Sequence, residues 1–322
     1  MRRRTFIALL GATGAAWRLS ARAQEAGRVY RVALVLPVGR DEPAVVAFLD
    51  ELLVQGFVEG RNLIVVPGFL ARNEQVEAIV SATIKAAPDV ITTGGDFFIR
   101  AFLKATQSIP LIVITEDLAA AGFVASLARP GGNITGISLM SPELDGKRQD
   151  ILIESVPSAR RIAALADSNI STLQHLEALE QSARTHGREL LVVRAANADD
   201  VIPAINAAID SGVGALNVLG SPMLHLNRHV IINRAAALRL PAIYQWPETA
   251  EEGGLLGYGP GFVEMFRQRA EMVAKVLRGV NPGDLAVEQP TNFKLVVNLK
   301  TAKAINYEVP AGLVLRADEV IE

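Results

Sequence analysis

The chain has 322 residues, of which 50% are hydrophobic, 20% are charged and none is cysteine. This length predicts about two domains, and the apolar fraction excludes a disordered or collagen-like protein. The lack of cysteine excludes disulfides, thiolate metal sites and a cysteine nucleophile. The formal charge is −2, and the mature chain predicted below is more acidic, which makes a nucleic acid backbone a poor partner.

The first 23 residues have the pattern of a secretory signal peptide. Basic residues 2–4 precede a short apolar run at residues 6–17, Ala21-Arg22-Ala23 fits a cleavage site, and residues 3–7 also fit a twin-arginine pattern. A membrane anchor is the alternative, but the run is about half of the ~20 residues that span a bilayer. Removing residues 1–23 lowers the 32 basic residues to 27 against 34 acidic ones, a net charge of −7. The sequence therefore predicts a periplasmic protein with no transmembrane span in its mature chain.

After residue 27, apolar runs alternate with segments of helical periodicity. In the first half, a helix capped by Asp41 ends at Gly56, and another begins at Asn73 and runs past Thr83. The remaining predicted elements of this half are strands at Arg31–Leu36, Leu63–Val66, Val90–Thr93, Leu111–Thr115 and Ile134–Ser138, and helices at Phe97–Thr106 and Leu118–Ala128. In the second half they are strands near Arg161–Ala166, Leu190–Val193, Ala215–Leu219, Ala242–Tyr244 and Leu255–Tyr258, and helices near Thr172–His186, Ala198–Asp210, Leu224–Leu238 and Val263–Arg278. Strands that alternate with helices of this length predict parallel sheets.

The two halves also repeat short motifs in the same order. Arg31-Val32-Ala33-Leu34 matches Arg161-Ile162-Ala163-Ala164, and Ile109-Pro110-Leu111-Ile112 matches Leu240-Pro241-Ala242-Ile243. We therefore predict an α/β protein with two doubly wound parallel-sheet lobes joined by a hinge. The first lobe is expected at 28–138 plus about 260–285, and the second at about 139–259 plus 286–322.

Ligands of open parallel sheets bind beyond the carboxyl ends of the strands, so the loops there are the candidate site. Gly39 lies in the first such loop. Gly95 and Asp96 open a helix, where backbone N–H groups could face an anion or the glycine could serve only a tight turn. Ser221 lies in the equivalent loop of the second half, where it could cap the next helix, bind a ligand, or do both.

Acidic and aromatic residues follow other strands. Glu116 and Asp117 could hold an ammonium group or do acid–base work, although Asp117 also suits a helix cap. Tyr244, Trp246 and Tyr258 could stack on a flat ligand or a cation, or pack beneath the loops.

No set of residues points to catalysis, a metal or a cofactor. His225 and His229 share a helix face, but the segment reads His-Leu-Asn-Arg-His and lacks the glutamate of a metalloprotease motif, so surface or capping histidines are expected. The Gly-x-Ser segments, such as Gly136-Ile137-Ser138, lack the final glycine of a nucleophile elbow. The chain is therefore not expected to be an enzyme.

The chain resembles the ABC-transporter substrate-binding proteins of the tryptophan/tyrosine type. Apart from the leader, the resemblance rests on residues 127–136, 240–244, 253–260, 289–293 and 298–321. It implies a type I periplasmic binding fold and capture of a solute, an aromatic amino acid in characterised relatives, for a permease and an ATPase. The ligand loops it implies surround Gly95–Phe97, Glu116–Asp117, Ser138, Asn169, Ser221 and Tyr244–Trp246.

Three loops depart from the usual pattern of that family. Asp96-Phe97 replaces Thr-Pro, Ser221-Pro222 replaces Asp-Pro, and Asp167-Ser168-Asn169 stands where Asn-Pro is common. The second lobe thus loses a partner for an α-ammonium group, while the first gains a negative charge. An aromatic amino acid and another small aromatic compound both stay open as ligands. A periplasmic ligand sensor and an exported α/β enzyme are the alternative functions.

Overall fold

The computed structural model describes residues 27–69, 75–139, 141–170 and 173–322, so the leader predicted at 1–23 lies outside the described residues. The first lobe contains one parallel sheet in the order β2-β1-β3-β4-β5. Its strands are β1 (Tyr30–Leu36), β2 (Leu63–Phe69), β3 (Val90–Gly94), β4 (Leu111–Thr115) and β5 (Ile134–Ser138), and the helices between them are α1 (Pro43–Val54), α2 (Val76–Lys85) and α3 (Asp96–Ala105).

The second lobe contains a longer sheet in the order β12-β11-β10-β9-β8-β6-β7, in which only the β10–β11 pair is antiparallel. Its strands are β6 (Arg161–Asp167), β7 (Glu189–Ala195), β8 (Ala215–Val218), β9 (Ala242–Tyr244), β10 (Leu256–Gly259), β11 (Lys294–Asn298) and β12 (Glu319–Ile321). The helices that follow in the chain are α4 (Ser141–Ser155), α5 (Leu173–Thr185), α6 (Val201–Asp210), α7 (Pro222–Leu226), α8 (Arg228–Ala237), α9 (Pro247–Glu251), α10 (Phe262–Leu277), α11 (Leu299–Ala304) and α12 (Ala311–Val314). The predicted fold class, two α/β lobes dominated by parallel pairing, is confirmed.

Helix α10 follows a strand of the second sheet but packs along α1 on the first. Its residues Phe266 and Val273 share one apolar core with Leu34 of β1 and Phe48 of α1. After α10, the backbone of Glu288 pairs with Ile137 beside β5 before the chain enters β11. The chain thus passes between the lobes after β5, after β10 and again before β11.

The prediction of a helix at Leu118–Ala128 is wrong. This segment forms turns, in which Leu118 and Phe123 are buried without helical backbone. Gly122 adopts φ +72° and closes a single turn, and Ala125 N–H then donates to the carbonyl of Pro130. The spacing of the apolar residues reflects their packing under the sheet, since a glycine with positive φ cannot continue a right-handed helix.

The helix predicted at Leu224–Leu238 is broken in two. Asn227 separates α7 from α8, and its side-chain amide donates to the carbonyl of Met223 at 2.8 Å. The cap of α1 also differs, because Glu42 and not Asp41 occupies the N-cap position. Among the described helices, none is both long and apolar enough to cross a membrane.

Candidate functional site

A cleft lies between the lobes at the carboxyl ends of their parallel strands, with about 810 Å³ of space between its walls, the mouth included. This is the edge at which open parallel sheets bind ligands. The first lobe lines it with Leu36, Pro37, Val38, Gly94, Gly95, Asp96, Ile114, Thr115, Glu116, Leu139, Phe262, Phe266 and Arg269. The second lobe lines it with Ile170, Ser221, Pro222, His225, Gln245 and Trp246.

The loop between β3 and α3 brings Gly95 and Asp96 to the cleft. Gly95 adopts φ +78° at the N-cap of α3, and its N–H donates to the carbonyl of Ile114 at 3.2 Å. The Asp96 carboxylate accepts a hydrogen bond of 2.5 Å from the Thr115 hydroxyl and lies 3.6 Å from Arg100. The glycine therefore serves a tight turn, and Asp96 presents a carboxylate that is already hydrogen-bonded.

Ser221 borders the cleft from the second lobe and caps α7. Its hydroxyl accepts from the N–H groups of Met223 and Leu224 at 3.0 and 3.2 Å and donates to the buried Asp167 carboxylate at 2.6 Å. Asp167 also accepts from the backbone and side-chain amides of Asn169 at 2.8 and 3.1 Å. Asp167 therefore ties the loops after β6 and β8 together, and these hydrogen bonds occupy the Ser221 hydroxyl within its own lobe.

An aromatic wall formed by Trp246, Phe262, Phe266 and His225 crosses from one lobe to the other. The ring centroids of Trp246 and Phe262 are 4.8 Å apart, and those of Phe262 and Phe266 are 4.9 Å apart. Trp246 comes from the loop after β9, whereas both phenylalanines lie on α10. A flat apolar solute can pack against such rings.

His225 belongs to this wall and is not the surface histidine that the sequence predicted. Its ring lies 4.7 Å from Phe262, and neither ring nitrogen has a hydrogen-bond partner among the described residues. Burial, with smaller contributions from Arg228 and His229, lowers its pKa to about 3, so the imidazole is neutral at physiological pH. His229, one turn further on, is mostly exposed.

Arg269 is a site residue that the sequence reasoning missed. It is 1% exposed and stacks over Phe266, with 4.0 Å from its guanidinium carbon to the ring centroid. Its one hydrogen bond among the described residues runs to the carbonyl of Thr93 at 3.5 Å. Burial lowers its pKa to about 9. The signal in the sequence is its spacing, because Phe262, Phe266, Arg269 and Val273 recur on one helical face.

Of the predicted ligand residues, Gly95, Asp96, Glu116, Ser221 and Trp246 border the cleft. The other predicted ligand residues do not, and they are Gly39, Phe97, Asp117, Ser138, Asn169, Tyr244 and Tyr258.

Several of these other residues have structural partners instead. The Asp117 carboxylate accepts from the N–H groups of Ala119 and Ala120 at 2.9 and 3.0 Å, as a turn cap does. Tyr244 is buried in the second lobe, which raises the pKa of its phenol. Tyr258 stacks on Phe293, and Phe97 is 49% exposed.

An ion pair joins the lobes beside the cleft. Arg228 of α8 lies 3.1 Å from the Glu42 carboxylate of the first lobe and 2.6 Å from that of Glu252 in its own lobe. Burial lowers the pKa of Arg228, but the hydrogen bond and charge of Glu252 and the charge of Glu42 outweigh that effect and raise it overall. The lobes therefore touch through charges as well as through aromatic rings.

The chemistry of the cleft is that of a binding surface. In the described part of the chain, no group of three His, Asp or Glu side chains is placed to hold a metal ion. The walls supply apolar rings, one guanidinium, two carboxylates and neutral polar groups. Such a mixture can enclose a small solute and recognise its polar ends.

Proteins of known structure share this architecture. A conserved domain protein from Vibrio cholerae matches with a TM-score of 0.81 and 24% identity, covering 91% of this chain and 100% of that chain. An ABC domain from Streptococcus pneumoniae, solved in complex with L-Trp, matches with a TM-score of 0.80 and 18% identity over the same shares. The fold is that of the type I periplasmic binding proteins.

The sequence itself is similar to that of a named protein. It is 25% identical over 269 residues to the tyrosine-binding protein of Clostridioides difficile strain R20291. The aligned region covers 81% of this chain and 76% of the relative. The family described as ABC transporter substrate binding protein matches residues 45–321, a span that includes both lobes and most of the lining of the cleft. The chain therefore belongs to the ABC transporter substrate-binding protein family.

Proposed function

We propose that this chain is the periplasmic binding component of an ABC importer and that it captures an aromatic amino acid or a related aromatic compound. The observation that carries the proposal is the cleft between the lobes, whose wall is built from Trp246, Phe262 and Phe266. The names of two relatives, one tyrosine-binding and one solved with L-Trp, support an aromatic ligand.

The proposed mechanism is closure of the lobes around the solute. A solute that touches both walls binds the closed arrangement more tightly, so it shifts the equilibrium toward that arrangement. Trp246 contributes the second-lobe side of the aromatic wall, and Phe262 contributes the first-lobe side. The permease then recognises the closed form, and the ATPase drives release into the cell.

The proposed ligand residues are those predicted ones that border the cleft, together with Gln245, which lies inside the predicted loop Tyr244–Trp246 but was not singled out, and Arg269, which was not predicted. A movement of the lobes would be needed to bring the predicted residues outside the lining to a solute. The leader at 1–23 supports export, with the general and the twin-arginine routes both open.

Binding is tested with the chain that begins at Gln24. L-Trp, L-Tyr, L-Phe, indole-3-acetate and phenylpyruvate are compared with glucose by thermal unfolding and calorimetry. A true ligand at 100 times its Kd stabilises the folded state by about 2.7 kcal/mol. The expected result is stabilisation by at least one aromatic compound and none by glucose. If every aromatic compound leaves the unfolding temperature unchanged, the proposal is wrong.

Transport is a separate test. Cells that lack this chain, and cells that lack the permease of the same transporter, are compared for uptake of the radiolabelled ligand. Loss of uptake in both strains supports the importer. Normal uptake in both, together with binding in vitro, would favour a sensing role.

A further inference from the structure

Arg269 is a buried charge that lacks a carboxylate partner among the described residues. Its Nε and Nη2 atoms are buried without a hydrogen-bond acceptor, and its Nη1 makes one long contact of 3.5 Å with the Thr93 carbonyl. The other fully buried cation among the described residues, Arg148, is paired with Asp145. A guanidinium of this kind is costly to bury, so an unpaired one requires an explanation.

Aromatic packing accounts for part of this cost. The guanidinium carbon lies 4.0 Å from the centroid of Phe266 and 5.5 Å from that of Phe48, and cation–π contacts at these distances are favourable. Such contacts cover the faces of the planar group, however, and leave its N–H donors unsatisfied. Those donors have the fork geometry that a carboxylate matches.

The position of Arg269 relates it to the cleft. The residue borders the cavity beside Phe266 and Phe262, at the first-lobe end of the aromatic wall. The carboxylates of Asp96 and Glu116 also border the cavity. Asp96 is hydrogen-bonded to Thr115 and lies 3.6 Å from Arg100, and in the described part of the chain no ion pair joins Glu116 to Arg269. A negative charge that neutralises Arg269 can therefore come from the solute.

We propose that Arg269 receives the carboxylate of the solute, so that the cleft selects small organic acids whose apolar body packs against the aromatic wall. This inference rests on the proposed solute-binding function and names the ligand class for that same cleft. The parting of the lobes that admits a solute also gives it access to the buried guanidinium.

Matched acid and amide ligands test the inference in the wild-type chain. Indole-3-acetate is compared with indole-3-acetamide, and L-Trp with L-tryptophanamide, by calorimetry. Removing the charge of a buried ion pair weakens binding by about 100-fold, so each acid is expected to bind at least that much more tightly than its amide. Equal binding of acid and amide overturns the inference and leaves the proposed function standing. Binding of no compound at all overturns both.

The variant Arg269→Met tests the residue itself, with Arg267→Met as the control because Arg267 is exposed on the same helix. Methionine removes a buried unpaired charge, so we expect Arg269→Met to unfold at the same or a higher temperature than wild type when no ligand is present. We expect it to bind each acid about 100-fold more weakly and each amide unchanged. The control is expected to keep the preference for acids. A lower unfolding temperature with unchanged acid preference would show that Arg269 only supports the fold.

Discussion

The two walls of the cleft differ in charge. The first lobe supplies the charged side chains, Asp96, Glu116 and Arg269, whereas the second supplies Ser221, Gln245 and a neutral His225. Behind the second-lobe wall, the Asp167 carboxylate has a hydrogen-bond partner in its own lobe, the Ser221 hydroxyl. We therefore expect the first lobe to contact the charged ends of a solute, while rings from both lobes pack against its apolar body.

The largest expected effect comes from removing Trp246, the aromatic side chain that the second lobe contributes to the wall. Trp246→Ala takes away a side chain that is 6% exposed, so we expect a loss of about 3 kcal/mol in stability and about 100-fold in affinity for aromatic solutes. Phe97→Ala is the control, because Phe97 is 49% exposed and lies outside the lining. Calorimetry and urea unfolding measure both quantities. Equal losses of affinity in the two variants would place the ligand elsewhere.

Acid should destabilise the folded chain through His225. The folded pKa of His225 is about 3, against 6.5 for an unperturbed histidine, so below pH 6.5 the unfolded chain binds a proton that the folded chain does not. Stability should therefore fall as the pH drops from 6.5 toward 3, by up to about 1.4 kcal/mol per pH unit from this residue.

His225→Phe isolates this contribution, because phenylalanine suits the aromatic wall and does not titrate. Urea unfolding of both proteins at pH 7 and pH 4.5 is the measurement. The wild type should lose more stability than the variant between these pH values. Parallel losses would mean that His225 takes up its proton without unfolding.

Removing the ion pair between the lobes should have a smaller effect on affinity. Glu42→Gln removes the interlobe ion pair with Arg228 and leaves the cap of α1 unchanged, because the Glu42 side chain makes no capping hydrogen bond. Glu252→Gln is the matched control, since it breaks only the pair within the second lobe. We expect Glu42→Gln to favour the open form and weaken binding about fivefold. Small-angle scattering should show a larger radius of gyration for it without ligand, and not for the control.

The smallest expected effect concerns the charge of Asp96. Asp96→Asn keeps a hydrogen-bond acceptor for Thr115 and removes a negative charge that is partly exposed. Affinity for a simple aromatic acid should rise about threefold, and affinity for an amino acid should fall by a similar factor. Calorimetry with indole-3-acetate and L-Trp distinguishes these outcomes. A change of the same sign for both ligands would show that Asp96 does not face an ammonium group.

The strands were the elements that could be predicted well. A strand buried on both faces is a short apolar run, so β1, β4 and β9 are visible in the sequence within a residue of their observed bounds. Helix α4 was not predicted, because Asp145, Arg148 and Gln149 are buried on it and hide the apolar periodicity. Gly146 also lies within α4, where a Cβ would lie 3.6 Å from Ala178 of α5. That distance is an ordinary van der Waals contact, so the packing of the two helices does not exclude a side chain at this position.

The candidate site was predicted only in part. Loops at strand ends could be located, so Gly95, Glu116 and Trp246 were found before the fold was known. The sequence could not show which predicted side chains already have hydrogen-bond partners within the protein. Ser221 and Asp117, for example, make their hydrogen bonds only in the folded loops. Nor could it separate His225, whose side chain is 12% exposed, from the exposed His229.

The sequence by itself determined the class of the protein, two α/β lobes with a site at the strand ends, because alternation of apolar strands and amphipathic helices is a local property of the chain. Only the tertiary structure decided which charges border the cleft. Arg267 and Arg269 are two residues apart on α10, and the docking of that helix on α1 exposes the first and buries the second. Burial depends on the partner surface, which no stretch of local sequence contains.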